Sequence, residues 1–106
     1  MSFTREEWIR LDNFCRTHPP YRKLLEYLLA HPEQEHTVTS VAADSGLPVS
    51  FYDLKALYIY KLLEAVDASG APVRVAWDLD EQARYRLIRE KEPLIRAVLD
   101  RREPPL

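Results

Sequence analysis

The stretch from Thr37 to Val66 constrains the fold most. It reads Thr-Val-Thr-Ser-Val-Ala-Ala-Asp-Ser-Gly-Leu-Pro-Val-Ser-Phe-Tyr-Asp-Leu-Lys-Ala-Leu-Tyr-Ile-Tyr-Lys-Leu-Leu-Glu-Ala-Val. Gly46, one of only two glycines in the chain, divides it. Glycine just past a helix end supplies a left-handed cap without steric cost. The pattern predicts a short strand at Thr37-Val38, then a helix capped by Thr39 and ending at Gly46. A second helix follows from Ser50 to Leu63. Ser50 starts it, and Asp53 at its third position both caps it and favours the positive end of the helix dipole.

The flanks read as further helices. Thr4 and Glu7 have the spacing of a capping box, and Phe3 and Trp8 occupy the two staple positions. Trp8, Leu11 and Cys15 continue at helical spacing, widened by Ile9 and Phe14, as far as Thr17-His18-Pro19. Pro20 suits the first turn of the next helix, whose apolar face is Tyr21, Leu24, Leu25, Leu28 and Leu29. His31-Pro32 stops it, and a polar loop runs to His36.

In the helix from Ser50 to Leu63, apolar residues lie nearly all round. Tyr52, Ala56, Ile59 and Leu63 share a face that is assigned to the core. Phe51, Leu54, Tyr58 and Lys61 then lie on other faces. Beyond it, Ala65-Val66 reads as a strand and Asp67-Ala68-Ser69-Gly70 as a turn. Val73, Val75, Trp77 and Leu79 alternate with Arg74, Ala76 and Asp78, the pattern of a half-buried return strand. Asp80 is expected to cap a last helix. There Leu87, Ile88, Leu94, Ile95, Val98 and Leu99 form pairs seven residues apart, so Pro93 is read as a kink. Arg101 to Leu106 should fray.

With 106 residues, the chain is expected to form one domain around a single modest core. Apolar residues make up 46%, enough for folding, and the net charge of -2 offers no field to draw in a polyanion. No apolar run approaches a membrane span and no signal peptide opens the chain, so a soluble cytoplasmic protein without membrane contact is expected. Cys15 is the only cysteine, which excludes an intrachain disulfide; it reads as core filler.

Helix, helix, short strand, helix, helix, hairpin, helix is the order of a winged helix-turn-helix domain. The segment from Thr37 to Leu79 resembles the DNA-binding core of the ArsR and MarR groups of prokaryotic transcription regulators. Val41, Ala42, Gly46, Leu47, Tyr52, Ala56 and Ile59 stand where those families keep their helix-turn-helix framework. The resemblance implies a mostly α fold with a small β-hairpin wing. The single domain, 1–106, would hold a helix-turn-helix at about 39–63 and a wing at about 65–79. Outer helices would lie at about 4–17 and 80–101. Ser45 departs from the pattern, since its position is commonly apolar. ArsR metal sensors often carry a cysteine pair on the helix before the turn, and this chain has none, so sensing by that route is excluded.

The resemblance implies a DNA-binding transcriptional regulator that works as a homodimer. The second helix of the motif would enter the major groove through Ser50, Phe51, Lys55 and Tyr58, with Arg74 reaching from the wing. Trp8, Leu11, Leu94, Ile95, Val98 and Leu99 offer a stripe for a twin. Charge argues the other way. From Thr37 to Val66 two lysines oppose Asp44, Asp53 and Glu64, a net of -1. From Glu81 to Arg102 seven cations oppose four carboxylates, a net of +3, which reads as a solvated face or a source of phosphate contacts. The alternative is a winged-helix module that binds protein through Phe51, Leu54 and Tyr58. An apolar patch ringed by carboxylates would favour that reading, and a continuous positive band would favour DNA. His18, His31 and His36 lack metal-pair spacing, and two glycines preclude a Gly-rich phosphate loop. No enzyme activity, metal or cofactor is expected.

Overall fold

A computed structural model describes residues 3–104, and its helices start where side chains can occupy the free amides of a first turn. Helix α1 (Arg5–Thr17) opens on a reciprocal box. The Glu7 amide donates to the Thr4 hydroxyl at 3.1 Å, and the Thr4 amide donates to the Glu7 carboxylate at 3.0 Å. Helix α2 (Pro20–Ala30) begins at Pro20, whose missing amide costs nothing there, and buries Leu24, Leu25, Leu28 and Leu29.

Helix α3 (Val38–Ser45) starts two residues earlier than expected, because Thr37 caps it in place of Thr39. Ser40 lies three residues after Thr37 and closes the box in both directions, at 2.9 and 3.0 Å. Thr39 would have Ala42 in that place, which cannot reciprocate. The expected strand at Thr37-Val38 therefore does not form. The only β contact here is at His36, which exchanges two backbone hydrogen bonds of 2.7 Å with Tyr85. Gly46 ends α3 at φ +71°, the left-handed cap that was expected. The Ser45 hydroxyl donates to the Val41 carbonyl and accepts from the Leu47 amide, so a polar residue serves at this turn.

Helix α4 (Phe51–Ile59) is shorter than the expected Ser50–Leu63. Lys61 takes a positive φ of 63° and turns the chain into strand β1 (Leu63–Val66). Its partner is β2 (Arg84–Leu87), antiparallel, with Leu63 opposite Leu87 and Ala65 opposite Tyr85. Those four side chains face the core; Glu64, Val66, Arg84 and Arg86 face outward.

The hairpin is thus present, but its return strand is not the expected Val73–Leu79. The Val73 amide still donates to the Ala65 carbonyl at 2.9 Å; the chain then leaves the sheet for a 3-10 turn at Ala76–Asp78. Both stretches alternate in polarity. Arg84–Leu87 prevails because it buries Tyr85 and Leu87 together and also reaches His36. The Asp80 carboxylate accepts from the Gln82 amide, which makes a turn instead of the expected helix start.

Helix α5 (Glu92–Leu99) likewise replaces the expected helix of 80–101. Pro93 sits in its first turn and begins it, rather than kinking a longer one. The stripe of Leu87 and Ile88 belongs to the strand end, so its seven-residue spacing from Leu94 and Ile95 is incidental. Instead of fraying, the tail is tied down as far as it is described. Arg5 donates to the Pro104 carbonyl and pairs with Glu103, and Pro104 is buried. Pro105 and Leu106 lie outside the described residues.

The described residues therefore form a mostly helical domain of five α-helices with a two-strand antiparallel hairpin after α4. One cluster holds the core, with Leu25, Leu28, Val41, Leu57, Tyr85, Ile95 and Val98 at its centre. Cys15 is buried in it, and burial pushes its thiol up to about 11, as suits core filler.

Candidate interaction surface

The rotation of α4 about its own axis decides what the domain presents. Leu54 and Leu57 are fully buried, whereas Tyr52 is 74% exposed and Ile59 is 56% exposed. This reverses the expected face, which puts Tyr52 and Ile59 in the core. A helix apolar nearly all round offers two stripes, and periodicity alone cannot choose between them. Side-chain ties to neighbouring elements accompany the choice. Tyr21 on α2 donates to Asp53 at 2.7 Å, and the Tyr58 hydroxyl donates to the Val73 carbonyl at 3.0 Å. The Asp53 carboxylate also accepts from the Ser50 amide and hydroxyl.

The residues expected to meet DNA are spread over three situations. Ser50 is exposed at the start of α4, but its amide and hydroxyl are already engaged by Asp53. Phe51 and Tyr58 are half-buried, the latter bound to the β1–β2 connection. Lys55 holds its ammonium 5.6 Å from the centre of the Phe51 ring. Arg74 is exposed on the connection. Leu54, one of three residues expected to dock a protein, lies wholly in the core, so that patch does not exist as drawn.

Other apolar side chains stand open to solvent instead. The 3-10 turn of the β1–β2 connection packs on α4 and holds Trp77 84% exposed, beside Val75 at 42%. Tyr52 and Ile59 stand on the helix against which that turn rests. These four, with Ile9 on α1, are the large apolar side chains most open to solvent among the described residues. The sequence does hint at Trp77. Asp78, Asp80 and Glu81 follow it closely, and three carboxylates in four residues suit a solvated turn better than a strand facing the core.

The charge around this surface is specific. The connection from 67 to 83 carries Asp67, Asp78, Asp80 and Glu81 against Arg74, a net of -3. Asp67 shapes the tip. Its carboxyl is held below the usual range by the Ser69 hydroxyl and by backbone amides including that of Ala71. The cations of the C-terminal segment are largely matched on the spot. Arg84 and Arg86 share Glu35, Arg89 meets Glu33, Lys91 meets Glu7 at 2.8 Å, and Arg96 meets Glu92. The more exposed of these pairs add little stability, but all of them offset local charge. A hollow of about 540 Å³ opens between the outer sheet face and the connection, and it mixes Arg74, Arg84 and Arg86 with Glu35 and Glu64.

The stripe expected to meet a twin lies inside the domain. Trp8, Leu11, Leu94, Ile95 and Val98 are buried where α1 packs on α5, and Leu99 is half-buried. It needs no second copy to cover it. Among the described residues no three histidine, cysteine or carboxylate side chains gather as a metal site, and no helix is long and apolar enough to cross a membrane. Comparison with protein-family models, with curated proteins and with solved structures gives no match to this chain.

Proposed function

We propose that this chain is a winged helix-turn-helix domain that works as a non-catalytic docking module for protein, not as a reader of duplex DNA. The element order supports the fold reading: α2, the His36 bridge, α3, α4, then a hairpin whose return strand also takes up His36. In that reading α4 is the recognition helix and residues 67–83 are the wing.

One observation carries the docking reading. The outward face of α4 and the wing beside it present Tyr52, Ile59, Val75 and Trp77 where a DNA reader needs arginine and lysine. Exposed aromatics of this kind mark protein interfaces. The wing's net charge of -3 would repel phosphates at close range.

A second reading, DNA binding through the same helix, is favoured by one feature. Lys55, Lys61 and Arg74 make no ion pair within 4 Å among the described residues. A retardation assay on random duplex at roughly 50 mM and roughly 200 mM salt separates the two, because phosphate contacts make affinity fall steeply with salt. The docking reading expects no retardation at either. Retardation at low salt that Lys55→Glu abolishes would overturn it in favour of DNA.

A further inference from the structure

We infer that the Trp77 surface receives a protein segment with a lysine or arginine set against the indole and an apolar residue set against Val75. This rests on the docking reading above and names the partner's chemistry. Trp77 is not exposed by looseness. The amides of Asp78 and Leu79 donate back to the carbonyls of Val75 and Ala76, both at 3.1 Å, and close the 3-10 turn. Leu79, two residues on, is buried and anchors that turn in the core. The indole is therefore held outward on a fixed support, which reduces the ordering cost of binding.

Its surroundings select the occupant. Asp78, Asp80 and Glu81 make no ion pair within 4 Å among the described residues, whereas most arginines of the neighbouring segment do. An open indole face beside free carboxylates suits a cation twice over, through the ring quadrupole and through ordinary ion pairing. The same carboxylates disfavour an anionic lipid surface. They also disfavour a second copy docked symmetrically on this face, which would bring like charges together.

The test is selection of a random 16-residue peptide library displayed on phage against the full chain, with counter-selection on Trp77→Ser. Trp77 is exposed, so that variant keeps its core, and the emission of buried Trp8 checks it. Trp77-dependent binders should be enriched about twofold in lysine and arginine over the starting library, together with apolar residues. The triple variant Asp78→Asn, Asp80→Asn, Glu81→Gln should lose the cation enrichment and keep the apolar one. Asparagine at 80 still accepts from the Gln82 amide, so the turn is preserved. Neutral or acidic Trp77-dependent binders would overturn this inference and leave the docking reading standing. An absence of Trp77-dependent binders would overturn both.

Discussion

The Tyr21 hydroxyl donates to the Asp53 carboxylate at 2.7 Å and ties the first turn of α2 to the first turn of α4. Burial, then the carboxylate, pushes the phenol up to about 12, so it remains a donor through the neutral range. Tyr21→Phe keeps the ring stacked on Phe14 and removes only the tie. The expected cost is about 1–2 kcal/mol in urea unfolding, as for a part-buried hydrogen bond to a charged group. A change within experimental error would mean that Tyr21 does not help to set α4.

The rotation of α4 has its own test. Leu54→Ala removes a fully buried side chain and should cost about 3 kcal/mol. Tyr52→Ala trims a side chain 74% exposed and should change stability by no more than about 0.5 kcal/mol. Equal losses, or the reverse order, would place Tyr52 in the core after all.

Lys61 sits at φ +63°, a conformation that costs a residue with a Cβ about 1–2 kcal/mol. Lys61→Gly relieves that cost and adds some unfolded-state entropy, for a net gain of about 0.5–1 kcal/mol. A rise in the urea midpoint with unchanged slope is the expected reading; a fall would show that the lysine side chain contributes more than its backbone costs.

His36 introduces a pH dependence. It is fully buried and forms a T-shaped pair with the Tyr27 ring; its Nδ1 meets no partner among the described residues. Burial lowers its pKa below the ordinary 6.5. Well above 6.5 the ring is neutral folded or unfolded, and it costs nothing. As pH falls through that value the unfolded chain takes the proton first, so stability declines until the folded pKa is passed. The urea midpoint should therefore drop between about pH 7 and pH 5.5, before most carboxylates titrate. His36→Gln should flatten that slope even if it lowers stability throughout; an unchanged slope would assign the titration elsewhere.

What could be read from the chain alone follows the range of the interaction. Thr4 with Glu7, Ser50 with Asp53, and Gly46 are short-range signals. Each caps a helix end by contacts within four residues, and each stands where it was expected. The two faces of α4 could not be ranked, because both are apolar and the contacts that accompany the choice, to Tyr21 and Val73, are distant in sequence. The return strand was misplaced for a similar reason. Val73–Leu79 and Arg84–Leu87 alternate equally well, and what separates them is distant in sequence: the core that takes Tyr85 and Leu87, and the reach of Tyr85 to His36. The candidate surface was missed as a consequence: a strand facing the core would have buried Trp77, and a turn exposes it.

The pair of backbone hydrogen bonds between His36 and Tyr85 also sets an order of events during folding. Their partners lie 49 residues apart in the chain, and α3, α4 and β1 all fall between them. Local turns and caps form early, whereas a contact of that separation must wait for loop closure. On a ribosome, the α3–α4 unit cannot lock onto its sheet until β2 has emerged. Until then the leucines of α4 have no finished core to enter, and the nascent chain exposes them.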